Sequence, residues 1–236
     1  MVSKVRNGLL VVAMLALVAS PALAQQPRAE VAVTFGWTFA DGVSFNGAPV
    51  NGLTYNRVDP KDSVSFGFSA GVFVTHQAEI EFLWNHQPTK LEVSGGTGPV
   101  LSGDMNVDNY HANFVYNAGE YDSKLRPFIY IGLGATNYGD ATFPSRTVPG
   151  LTKFSWALGA GVKAYPSPHA GIRAGIRWVP TYIKTDSAGW WCDPFYGCFP
   201  AGNVQYANQF EISGGVTFRF EPEPEALPES MPEDRY

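Results

Sequence analysis

Seven charged residues are spaced so that they could do acid–base chemistry. Glu79, Glu81 and Glu211 are carboxylates on alternating segments, and Lys163, Arg173, Arg177 and Arg219 are the cations that match them. Paired carboxylates can act as general acid and base. Three acids against four bases are better read as a self-neutralising structural salt-bridge network. The four histidines, His76, His86, His111 and His169, show neither an i, i+2 pair nor an HExxH helix. No metal and no cofactor is therefore expected. The glycine patterns at Gly132–Ala135 and Gly159–Val162 lack the strand-to-helix context of a nucleotide loop and read as strand glycines.

Cys192 and Cys198 form a second candidate group, within WWCDPFYGCF. Five intervening residues are not the C-x-x-C of redox enzymes, and no histidine lies close enough to suggest a metal pair. In an exported chain such a pair is expected to be a structural disulfide. So short a closed loop gains at most about 2–3 kcal/mol. Trp190, Trp191, Phe195, Tyr196 and Phe199 surround it. They read either as the miniature core of a loop or as a contact surface for an extracellular ligand.

Export is read from the first residues. Lys4 and Arg6 precede an apolar run from Gly8 to Ala19, and Ser20-Pro21-Ala22-Leu23-Ala24 ends in a small-x-small site. This is a signal peptide with cleavage expected after Ala24, and its apolar run is too short to span as a helix. At the other end, residues 221–236 read EPEPEALPESMPEDRY, with six acidic residues, one Arg and four prolines. Such a segment cannot bury a core and is expected to be an acidic, Pro-rich disordered tail. The division is 1–24 signal peptide, 25–220 folded domain and 221–236 tail. Charged residues make up only 16% of the 236, against about 25% in soluble domains. The net charge of -5 argues against a nucleic-acid partner.

The elements that must carry these groups are strands. Residues of alternating character run through Val31–Phe39, Ser155–Ala164, Gly171–Trp178 and Gln209–Phe220. Less regular strands are expected near Ser63–Val74, Ala78–Val93, Asp104–Tyr116 and Arg126–Tyr138. That gives eight. Long connections (Ala40–Asp62, Ser94–Gly103, Gly139–Thr152, Thr181–Val204) alternate with short ones. The rhythm predicts an all-β fold, an eight-stranded antiparallel up-and-down transmembrane β-barrel.

The chemistry of the two faces decides which meets lipid. One face is bulky and apolar (Phe35, Trp37, Phe66, Phe68, Phe82, Trp84, Trp156, Trp178, Phe218, Phe220). The other is mostly Gly, Ala, Ser and Thr and carries the seven charges. A water-exposed face would be richer in long polar side chains. Small residues with balanced charges suit the lumen of a narrow barrel, which its own side chains fill. A soluble lipocalin-like carrier would need every strand facing the other way, a one-residue change of parity.

These features resemble the small outer-membrane β-barrels of Gram-negative-type bacteria, the OmpA/OmpX-like group. The resemblance rests on the signal leading straight into a strand, on Arg126-Pro127-Phe128 followed by Gly132-x-Gly134, and on the closing strand FEISGGVTFRF. It implies recognition by barrel-assembly machinery through Phe218 and Phe220, although sixteen residues follow here where many relatives end. It implies outer-membrane lipid as the surrounding partner, a monomer, and a structural, adhesive or surface-interaction role through extracellular loops. A narrow solute pore is the runner-up. Some such barrels modify lipids, but no Ser-His-acid set can be assembled around His111, so no enzyme is expected.

Overall fold

The computed structural model describes residues 28–50, 53–95, 97–144, 146–183, 192–193, 197–198 and 205–220. Eight long strands form one closed wall in chain order: β1 (Ala29–Ala40), β4 (Ser63–Phe73), β5 (Ala78–Ser94), β6 (Leu101–Asn117), β7 (Leu125–Tyr138), β10 (Leu151–Ala164), β11 (Ala170–Ile183) and β14 (Gln205–Phe220). Each pairs antiparallel with its neighbour, and β14 closes onto β1. The eight expected strands are these eight.

The register fixes the tilt of the wall. One circuit runs Ala29, Val72, Ile80, Phe114, Ile131, Leu158, Trp178, Phe210 and back to β1 at Phe39, ten residues beyond its start. A closed barrel needs such a stagger. From Val72 onward every member of the circuit points outward and is exposed. Closure leaves no sheet edge, which is what a bilayer requires of a spanning sheet.

Period two sorts the side chains as expected. Phe35, Leu133 and Ile129 are 68%, 62% and 60% exposed on the outside, while Lys163 and Arg126 are 0% exposed in the lumen. The lipocalin-like facing is thereby ruled out. The luminal face is less uniformly small than its sequence suggests, because β7 contributes Phe128, Tyr130 and Tyr138. Glycine makes room for two of them. Gly159 and Gly161 of β10 lie opposite Tyr130 and Phe128, and a methyl group at either would run into that ring.

The first long connection is not a simple loop. Ala40–Asp62 was expected to be a loop, but it holds β2 (Val43–Val50) and β3 (Leu53–Pro60). Thr38 pairs with Ser63, and Val43 with Val58, in one continuous register. The β1–β4 hairpin therefore extends past the lipid zone. Its alternation inverts on the way: Thr38 and Val43 are both buried, although an odd number of steps separates them. On the other arm, β4 pairs Phe66 with His86 whereas β3 pairs Pro60 with Leu91, which inserts one extra residue at Lys61–Asp62. This is a β-bulge. The Lys61 carbonyl accepts from Thr89 Oγ1 at 2.5 Å, and Asp62 Oδ1 accepts the Ala40 N–H at 3.0 Å. The third long connection likewise holds a small hairpin, β8 (Ala141–Phe143) with β9 (Arg146–Val148). The fourth holds β12 (Cys192–Asp193) and β13 (Gly197–Cys198).

Candidate functional site

The lumen is organised in tiers. At the periplasmic end, Lys163 Nζ reaches Glu30 Oε1 at 2.6 Å and Glu79 Oε2 at 3.0 Å. Tyr165 donates to Glu30 Oε2 at 2.5 Å, and Asn117 Nδ2 donates to Glu79 Oε2 at 3.1 Å. Arg219 Nε lies 3.6 Å from Glu30 Oε2. Arg126 donates to the His76 carbonyl at 2.6 Å, and Arg219 to the Tyr121 carbonyl at 2.9 Å, so both tie the short turns to the wall.

One tier higher, Arg173 pairs with Glu81, which also accepts from Asn113 Nδ2 at 3.0 Å. The Arg173 guanidinium lies 4.6 Å from the Phe128 ring centroid. Next, Arg177 Nη2 meets Glu211 Oε2 at 2.6 Å, with the hydroxyls of Thr38 and Ser65 at 3.4 and 3.3 Å. All of these charged groups are buried. For all but Arg126, which is held by the His76 carbonyl, ion pairing answers the desolvation cost, since a lone buried charge costs several kcal/mol. The cavity beside Arg173 and Arg177 measures about 30 Å³, room for about one water.

Above the ion pairs comes a neutral layer. Asn109 Nδ2 donates across the barrel to Gln209 Oε1 at 2.9 Å. Thr136 Oγ1 lies 2.7 Å from Asn109 Oδ1 and 2.9 Å from Ser155 Oγ. His111 Nε2 lies 3.1 Å from Ser155 Oγ. This is a serine–histidine contact, but the His111 Nδ1 atom has no hydrogen-bond partner and no carboxylate orients it. Nothing among the described residues completes a triad. The extracellular end is apolar: Val58, Leu91, Met105, Val107, Tyr138, Ala141 and Val148 form one buried cluster, flanked by Val93, Phe143 and Leu151. The β2–β3 and β8–β9 hairpins supply part of it, so the extended wall carries its own core.

Outside, a polar and aromatic belt marks the upper lipid boundary. Trp84 Nε1 donates to Asp108 Oδ1 at 3.1 Å, and His86 Nδ1 lies 2.8 Å from the same oxygen. Trp156 packs edge-on against Trp178 at 4.9 Å, and Trp178 Nε1 donates to Asn208 at 3.1 Å. Indoles with their N–H satisfied suit an interface of this kind.

The seven charged residues singled out in the sequence thus all lie in the lumen. Phe218 and Phe220 face outward near the end of β14. The backbone sets Cys192 opposite Cys198 in an antiparallel pair. Trp190, Trp191, Phe195, Tyr196 and Phe199 lie outside the described residues, as do the signal segment and the tail. Sequence reasoning missed Glu30, Asn113, Tyr165 and the luminal role of Arg126. The signal was present: Glu30 has the parity of Ala32 and Thr38, and Arg126 that of Phe128.

The sequence matches the outer membrane protein beta-barrel domain family over residues 10–220, and the chain belongs to that family. It is a β-barrel protein of the bacterial outer membrane. Among solved structures it is similar to the outer membrane protein OprG from Pseudomonas aeruginosa, at 13% identity with a TM-score of 0.61, covering 84% of this chain and 98% of that one. It is also similar to Neisserial surface protein A, NspA, at 15% identity with a TM-score of 0.52, covering 83% and 100%. No curated protein sequence matches it.

Proposed function

We propose that this barrel is a sealed membrane scaffold whose work is done at its extracellular surface, in envelope integrity, adhesion or recognition, and not by catalysis or solute passage. The observation that carries this reading is the filled lumen. Buried ion pairs occupy its lower tiers, a hydrogen-bonded layer lies above them, and the apolar cluster around Leu91 and Met105 closes the top. A conducting path would have to break paired charges or wet that cluster. The wall, by contrast, is carried outward by β2, β3, β8 and β9, at the expense of additional ordered chain.

The contact surface of this reading is the last long connection. Cys192 and Cys198 lie directly across an antiparallel pair, where Cα atoms stand about 4.5–5.5 Å apart, inside the range a disulfide spans. The disulfide staples a tip that presents Trp190, Trp191, Phe195, Tyr196 and Phe199 to an extracellular ligand. The signal peptide delivers a monomeric barrel to the assembly machinery, which reads Phe218 and Phe220.

The test is a surface-binding assay with cells displaying the full chain, comparing Trp190→Ser/Trp191→Ser with the parent for attachment to cultured host cells. The expected result is lost attachment with the heat-induced gel shift of the barrel retained. Unchanged attachment would remove the tip from the binding surface.

A further inference from the structure

Three guanidiniums meet on one ring at the periplasmic mouth. Tyr121, in the turn between β6 and β7, is buried. Its ring centroid lies 4.2 Å from the Arg28 guanidinium, 4.6 Å from that of Arg219 and 5.4 Å from that of Arg126. The three come from separate parts of the wall: Arg28 just before β1, Arg126 at the start of β7 and Arg219 near the end of β14. Like charges gathered this closely repel, and an aromatic face offsets only part of that repulsion.

The neighbouring carboxylates are already engaged. Lys163 Nζ holds Glu30 at 2.6 Å and Glu79 at 3.0 Å, while Tyr165 donates to Glu30 and Asn117 to Glu79. Arg219 approaches Glu30 only to 3.6 Å, and Arg28 and Arg126 make no ion pair among the described residues. Glu120 and Asp122 of the turn are exposed and pair with none of the three among the described residues. Four cations, counting Lys163, therefore stand against two carboxylates, a surplus of two positive charges. Backbone carbonyls take one donor from Arg126 and one from Arg219. That leaves Arg126 Nε and Nη1 and Arg219 Nη2 buried without hydrogen-bond partners. Unmade donors of a buried guanidinium are costly. Arg28 is half-buried at the rim, and among the described residues its guanidinium touches only the Tyr121 ring.

We propose that the periplasmic mouth binds a phosphate group, received by Arg28 at the rim and shared with the buried Arg126 and Arg219. Guanidinium forks hold oxyanions through parallel charge-assisted hydrogen bonds. A planar carboxylate matches one fork, whereas a tetrahedral phosphate offers oxygens to three forks arriving from three strands. A phosphate monoester carries about −1.5 to −2 at pH 7, close to the surplus of the mouth. The Tyr121 ring lies against all three guanidiniums, so it turns outward as the anion takes its place among them. Free phosphate and a lipid headgroup ending in phosphate present the same chemistry to this site.

The test is calorimetric titration of inorganic phosphate, at fixed ionic strength, into the full chain folded in neutral maltoside micelles, which hold no phosphate of their own. The parent should bind one equivalent saturably. Arg28→Gln and Arg126→Gln strip no carboxylate of its cation, and each should weaken binding about tenfold with the heat-induced gel shift retained. Lys90→Gln, on the extracellular wall, should bind like the parent. Absence of saturable binding, unchanged affinity in both arginine variants, or equal weakening in Lys90→Gln would overturn the proposal. Repeating the titration with phosphatidate in the micelles separates the two sources. A weaker apparent affinity for inorganic phosphate assigns the site to a lipid headgroup, and an unchanged one assigns it to free phosphate.

Discussion

Arg173 and Glu81 stand on strands four places apart in a ring of eight, so their ion pair is a diameter of the barrel. Asn109 and Gln209, on β6 and β14, form a second diameter above the Arg177–Glu211 tier. Contacts across the ring, rather than between neighbours, are what leave the lumen without a clear path. They join residues far apart in the chain and cannot form until the wall is nearly closed.

Removing one end of the lower diameter should therefore be severe. Glu81→Ala leaves Arg173 buried without its anion, and the loss should be about 3–5 kcal/mol. Replacing both ends together, as Glu81→Leu/Arg173→Met, should cost far less than the single change. Urea unfolding in vesicles checks this, and a double variant weaker than either single would count against a balanced pair.

The lipid face makes a depth-dependent prediction. Ile129→Lys places a charge on the outward face well inside the wall and should cost roughly 2–4 kcal/mol. Thr142→Lys, outward but on the extracellular hairpin, should fall within about 0.5 kcal/mol of the parent. Equal losses at the two sites would mean that the lipid boundary is misplaced.

Gly159 tests the packing of the lumen. A Gly159→Val side chain has nowhere to go but the Tyr130 ring, and overpacking of this kind costs about 1–3 kcal/mol. Tyr130→Ala in the same chain should relieve part of that loss. Unfolding midpoints of the two singles and the double give the coupling directly.

The disulfide is checked by alkylation. Without reductant, Cys192 and Cys198 should resist a maleimide, and both should react after reduction. Cys192→Ser should leave the barrel's unfolding nearly unchanged, because the closed loop is short and lies beyond the core. Ready labelling of the unreduced protein would contradict the pairing.

Much of this was legible in the sequence because a barrel strand writes its two faces into alternate residues. Phe35 and Trp37 against Gly36 and Thr38 gave both the strand and its orientation, and the same parity placed Lys163 and Arg173 inside. The β2–β3 extension was not legible, since the bulge at Lys61–Asp62 and the matching inversion after Phe39 reverse the pattern in mid-strand. A period-two reading stops at such a reversal even when the hydrogen-bonded wall goes on. The partners of the charges were not legible either. Parity puts Glu81, Glu79 and Glu30 in the lumen, but only the ten-residue stagger of the closed wall sets Arg173 against Glu81 and places Lys163 between the other two.

A sealed lumen should carry no ionic current, which single-channel recording measures. Full-length protein inserted in a planar lipid bilayer, with insertion confirmed by the heat-induced gel shift, should give no stable conductance steps in salt. Reproducible ohmic steps from the folded parent, enlarged in Glu81→Ala, would show an open path through the charge tiers and a lumen that is not sealed.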